Sequence, residues 1–172
     1  MTELPDADLV ERRAVDGTVI ERLARPPLAR ALGLEPHPEG GWYRRTWAGT
    51  QTVTVTDESG TERERPIATL IIFLLPAGEA SAWHRVSSDE VWIWSGLGTV
   101  GLQVGGVGDE PVAGEVTVLG DASGGHAPQG LVPAGVWQRT LPADHDALAS
   151  CVVAPGFTFD DFELADGPAA AE

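Results

Sequence analysis

His84 and Glu90 share one short segment, residues 78–96, with Trp92 and Trp94. Imidazole and carboxyl groups can exchange protons with a bound molecule near neutral pH. A carboxyl among indoles is expected to hold its proton more tightly than one in water. The pair therefore suits general acid–base chemistry, and in contact the two groups would titrate as a unit. Tyr43, the sole tyrosine of the chain, adds a phenol, and Arg44 or Arg85 could hold an anionic group. The candidate catalytic residues are His84, Glu90 and Tyr43, and the candidate ligand-binding residues are Trp92, Trp94, Gln138 and Arg44.

Such side chains meet only if strands aim them. Along a strand alternate residues share a face, so Glu90, Trp92 and Trp94 point one way, and Ala82, His84 and Val86 point together. If both sets face inward, they line one cavity. The alternative is that the tryptophans are plain core and Glu90 caps a turn at the rim. From Gly41 onward, short β-rich runs alternate with Gly, Pro and Asp punctuation. This pattern predicts strands over 42–47, 52–56, 67–75, 81–84, 90–95, 100–104, 116–119, 130–132, 136–141 and 148–153. Many short strands at such spacing argue for a sandwich or barrel. Before Leu34 the apolar period is helical: Val15, Val19, Ile20 and Leu23 share a face, as do Leu28 and Leu32. Pro26-Pro27 is expected to separate two short helices, with Gly33 as a stop. The division expected is a helical arm over 1–31, a β-body over 32–165 and a flexible tail over 166–172.

Composition narrows the function classes. The 172 residues suit one domain. A formal net charge of −15 repels phosphate backbones and anionic lipid, which counts against nucleic-acid and membrane partners. Every basic residue is Arg, so Schiff-base chemistry on lysine is excluded. Cys151 is the single cysteine and sits in an apolar run, which reads as a core thiol rather than a nucleophile. Residues 1–6 have neither a basic start nor an apolar run, so no secretory leader is expected and the expected compartment is the cytoplasm.

Residues Gly78, His84, Glu90 and Gly96 resemble the first cupin motif, with Val86 where a second histidine would stand. Pro133-Ala134-Gly135-Val136-Trp137-Gln138 resembles the second, with Gln138 at the histidine position. Five runs are similar, in order, to the cupin 5 branch, a domain family of unknown function: His37-Pro38-Glu39-Gly40-Gly41-Trp42-Tyr43, Ser81-Ala82-Trp83-His84-Arg85, Ser88-Asp89-Glu90, Val132 to Gln138, and Val153-Ala154-Pro155-Gly156-Phe157. The resemblance implies a double-stranded β-helix (jelly-roll) barrel, a small-molecule pocket and a homodimer, but no settled activity. A typical cupin metal site takes three histidines and a glutamate. Here His84, Glu90 and the weak donor Gln138 remain, so no cofactor is expected beyond a weak divalent-metal site. Three functions stay open: a metal-independent isomerase, epimerase or lyase; a non-catalytic binding protein; and a metal-dependent oxygenase.

Overall fold

The computed structural model describes residues 9–57 and 59–165. Its first element is a hairpin, β1 (Leu9–Arg13) with β2 (Val19–Ala24), where the apolar period predicted a helix. Turn chemistry overrides the period. Asp16 Oδ1 accepts the Thr18 N–H at 2.9 Å, and Gly17 adopts φ 88°, a conformation suited to a turn and foreign to a helix. Only the second expected helix forms, α1 (Pro27–Leu32). Pro27 begins it and Gly33, left-handed at φ 64°, ends it. The arm is thus a hairpin plus one short helix, a correction to the helical arm. The tail over 166–172 lies outside the described residues.

Two antiparallel sheets form the body. The larger has the order β12-β9-β14-β7-β4-β3. It contains β3 (Glu35–Pro36), β4 (Trp42–Ala48), β7 (Thr69–Leu75), β9 (Asp89–Leu97), β12 (Gln129–Val132) and β14 (Ala147–Ala154). The smaller has the order β11-β10-β13-β8-β15. It contains β8 (His84–Val86), β10 (Val100–Val104), β11 (Val116–Leu119), β13 (Gln138–Leu141) and β15 (Phe162–Leu164). From β7 onward the chain passes back and forth between the sheets. A separate hairpin pairs β5 (Thr52–Thr56) with β6 (Glu62–Pro66). Among the described residues no helix is long and apolar enough to cross a membrane.

Most predicted strands are present with shifted ends. The strand expected at 81–84 is instead β8, because residues 81 and 82 spend their backbone bonds elsewhere. Ser81 N–H goes to Thr140 Oγ1 at 2.7 Å and Ala82 N–H to the Glu39 carbonyl at 2.6 Å. The charged run of β6 has no apolar alternation to betray it.

Side chains from both sheets meet in the middle. Phe73, Trp92, Ala149 and Cys151 of the larger sheet pack against Val100, Leu102 and Leu119 of the smaller. A second cluster lies on the outer face of the larger sheet. There Ala29, Leu34, Trp42 and Leu74 are covered by Leu23 and Val10 of the hairpin. Arg12 pins the hairpin to the body. It pairs with Glu21 and Glu79 and donates to the Gly41 carbonyl at 3.3 Å, while Glu79 also accepts the Trp42 indole N–H.

The turn over residues 37–41 is the tightest joint between arm, sheet and interior. His37 N–H bonds to the Gly41 carbonyl and Gly40 N–H to the His37 carbonyl, both at 3.0 Å. Gly40 has φ 109°, and a Cβ there would lie 2.2 Å from the Ala80 carbonyl oxygen. Gly60 also has a positive φ, 82°, but faces open space. Gly40→Ala is therefore expected to cost at least about 2 kcal/mol in urea unfolding, and Gly60→Ala clearly less. Equal losses at the two sites would remove the steric argument.

Candidate functional site

The strands change character along their length. On β7, Thr69 and Ile71 line a cavity while Phe73 and Leu75 join the core; on β14, Val153 and Cys151 line it while Ala149 and Ala147 do not. The cavity, about 30 Å³, has room for about one or two waters. Its polar wall is His37, Glu39, His84 and Glu90, and its rim is Tyr43, Arg45, Phe157 and Phe162.

His84 is 2% exposed and enters from β8. Its Nδ1 lies 2.8 Å from the Ala82 carbonyl, which can only accept, so Nδ1 carries the ring proton. The lone pair at Nε2 then faces Glu39 Oε2 at 3.3 Å. His37 repeats the arrangement: Nδ1 accepts the Glu39 N–H at 3.3 Å and lies 3.4 Å from the same Oε2. One carboxyl oxygen thus faces two imidazole nitrogens, neither of which offers it a proton. Burial pushes the Glu39 carboxyl well above the ordinary carboxylate range, and the neighbouring Glu90 adds to the shift. Burial likewise lowers His84 to about 4, against the Ala82 carbonyl, and His37 to about 3, assisted by His84 and Arg12. The consistent state is a protonated Glu39 donating to a neutral imidazole.

Glu90 is held differently. Trp92 Nε1–H, which can only donate, meets Gln138 Oε1 at 2.8 Å. That sets the amide orientation, and Gln138 Nε2–H donates to Glu90 Oε2 at 2.6 Å. The Cys151 thiol lies beside Glu90 in the same cavity. Burial raises Glu90 to about 7, and Gln138 and Cys151 oppose the rise. Burial raises the Cys151 thiol as well, with Glu90 and Glu39 adding to it, so it stays protonated.

The predicted residues divide accordingly. His84, Glu90 and Tyr43 line the cavity. Trp92 faces inward but lies one step deeper, as core: it is 1% exposed and edge-on to Phe73 at 5.5 Å. Trp94 is further along still, its indole N–H bonded to the Gly98 carbonyl. Gln138 is fully buried behind Glu90 rather than at the cavity wall. Arg44 is on the opposite face of β4 from Tyr43 and is exposed; strand parity gives that role to Arg45, whose Nη2 donates to the Phe157 carbonyl at 3.0 Å. The carboxyl at His84 is Glu39, not Glu90. Sequence reasoning missed His37, Glu39 and Arg45, although His37-Pro38-Glu39-Gly40-Gly41 was the signal that could have found two of them.

The three histidines and one glutamate of a typical cupin metal site are not all present here. Val86 lines the cavity where a histidine donor would stand, and the Gln138 oxygen is occupied by Trp92. Among the described residues no group of three or more His, Cys, Asp or Glu side chains is placed so as to hold a metal ion.

Two facing antiparallel sheets around a polar cavity define a protein of the cupin superfamily. More narrowly, the chain belongs to the Cupin_5 family, "Cupin superfamily (DUF985)", which it matches over residues 27–165. It is similar to a solved hypothetical protein from Leishmania major, with 29% identity, 78% of this chain and 83% of that chain covered, and a TM-score of 0.66. It is similar also to a solved protein from Shewanella oneidensis, with 35% identity, coverage of 80% and 81%, and a TM-score of 0.65. The DMSP lyase DddQ from Ruegeria pomeroyi aligns more loosely, at 16% identity, coverage of 69% and 53%, and a TM-score of 0.47. No curated protein matches the chain.

The raised Glu90 carboxyl has a stability consequence. Its pKa is about 7 folded against 4.5 unfolded, so the folded state binds more protons between those values. Stability from Glu90 is full below about pH 4.5 and is lost as pH rises through about 7. Glu90→Gln carries no such penalty. Measured by urea unfolding, it should gain on the parent across that window, by roughly 3 kcal/mol in all. A difference independent of pH would show that Glu90 keeps an ordinary pKa.

Proposed function

We propose that this protein is a metal-independent acid–base enzyme, an isomerase, epimerase or lyase, acting on a small polar or carbonyl-bearing molecule within a double-stranded β-helix. The carrying observation is that Glu39, His84 and Glu90 line one buried cavity, where burial raises both carboxyls and lowers the imidazole. The usual order of carboxyl and imidazole is inverted, so Glu90 rather than His84 is the group poised to gain and lose a proton near neutral pH. Ionised Glu90 takes a proton from a carbon beside a carbonyl, and Glu39 gives one to the carbonyl oxygen. Return of the proton at another position isomerises the molecule; departure of a neighbouring group makes the reaction a lyase. His84 holds the Glu39 proton in place and Tyr43 closes the rim. On the first substrate found, Glu90→Gln and Glu39→Gln should each cut turnover by about a hundredfold or more while binding persists. Full turnover in both variants would sink the assignment.

The second reading, a non-catalytic binding protein, draws on the way Glu90, Gln138 and Trp92 already satisfy one another. In that case the same substitutions change affinity alone and no molecule is turned over.

The assembly we infer is a homodimer through the outer face of the larger sheet. The arm covers only part of this face, leaving Trp47 49% and Leu131 59% exposed, with the half-buried Leu70, Val91 and Val152 between them. Light scattering should return twice the 18.1 kDa chain mass, and Leu131→Arg should shift it toward the monomer. A monomeric parent at micromolar concentration would rule this out.

A further inference from the structure

Tyr43 is a wall of two hollows. On one side is the interior cavity; on the other is a surface cleft of about 250 Å³. Glu11, Arg13 and Val15 of the N-terminal hairpin, Glu35 and Pro36 of β3, and Pro38 and Phe159 complete the cleft. The partition is made of aromatic rings, with Tyr43 common to both hollows and Phe159 backed by His37. Tyr43 meets His37 edge-on at 4.6 Å, Phe159 stands 5.7 Å from the same imidazole, and His37 lines the inner side.

We propose that the inner cavity and the outer cleft are two halves of one ligand site, joined when Tyr43 and Phe159 swing aside. The ligand is an elongated small organic molecule, with a polar head that carries no negative charge for the cavity and an apolar or aromatic body for the cleft. This rests on reading the cavity as the substrate site.

Three observations support it. The cavity holds about one or two waters, so it admits a head group and little more. Its inner wall offers carboxyls and neutral imidazoles but no cation, since Arg45 sits at the rim, exposed and engaged with Phe157. An anionic head would be desolvated there without a cationic partner and would face Glu90. In the cleft, the charges neutralise one another. Glu11 pairs with Arg13 and Arg22, and Glu35 with Arg25, leaving Val15, Pro36, Pro38 and the two rings as recognition surface. Glu11, Arg13 and Val15 lie outside the 27–165 family match, so the ligand body is selected by a part of the chain that family membership does not define.

Cys151, the single cysteine, lines the inner cavity, and its labelling reports on access to it once the pH dependence of each variant's rate has separated thiol ionisation from entry. The full chain is treated with neutral and anionic methanethiosulfonates of similar size, and the labelling rate is read by mass. Tyr43→Ala and Phe159→Ala should each raise the rate with the neutral reagent by about tenfold or more. Val15 is exposed, so Val15→Trp folds and fills the cleft. Added to Tyr43→Ala it should slow labelling about fivefold, and in the parent background it should slow it as well. The neutral reagent should outpace the anionic one by about tenfold. Labelling through unfolding is told apart because it follows the urea stability of each variant.

Parent-like rates in both ring variants, or no effect of Val15→Trp, would overturn the joined site. An anionic reagent as fast as the neutral one would overturn the ligand class. Neither result touches the acid–base reading, which is judged by turnover of Glu90→Gln and Glu39→Gln. If those variants keep full turnover while the labelling follows expectation, the joined site stands and the assigned chemistry falls.

Discussion

Glu39 is buried where it must stay neutral, and much of the site follows from that. The carboxyl faces His37 and His84, and each ring has its protonation pattern set by a backbone partner: the Glu39 N–H for one, the Ala82 carbonyl for the other. His84 therefore presents its Nε2 lone pair to the carboxyl oxygen, while the His37 Nδ1 beside the same oxygen already accepts the Glu39 N–H. An ionised Glu39 would add charge to a dry space already shared with Glu90. Keeping the proton on Glu39 satisfies an imidazole and avoids the cost of desolvating a carboxylate. The glycine turn that delivers Glu39 must be tight, because its backbone presses on Ala80 and is stitched to Ala82.

The second support is directional. The Trp92 indole has a donor and no acceptor, so it dictates which way Gln138 points, and Gln138 then presents its amide hydrogens to Glu90. This chain of bonds runs from the apolar core to the polar wall. It explains why an aromatic residue that never touches the cavity still shapes it. The same strands serve both regions, because β7, β9 and β14 each carry cavity residues toward one end and core residues further along.

The N-terminal hairpin belongs to both structure and site. Leu23 and Val10 cover the outer face of the larger sheet, while Arg12 reaches the glycine turn and Val15 stands at the surface cleft. Moving the hairpin would therefore disturb the turn that places Glu39 as well as the cleft wall.

By itself the sequence determined the β-rich body, the inward set of β9, the Gly33 stop and the segment carrying His84 and Glu90, since strand alternation and turn residues are local properties. It also showed that Val86 stands at a histidine position. The partners were decided by the tertiary structure alone. Glu39 reaches His84 because a turn before β4 is sewn to the loop before β8, a long-range closure that leaves no periodic trace. Alternation places Trp92 on the cavity side of β9 but does not say how deep along the strand the cavity ends. Alternation puts Arg45, not Arg44, on the face of Tyr43, but only the tertiary structure shows that this face of β4 borders the cavity. The inverted proton affinities of Glu90 and His84 likewise arise from burial, which depends on what both sheets and the Phe157–Phe162 segment bring to the same few cubic ångströms.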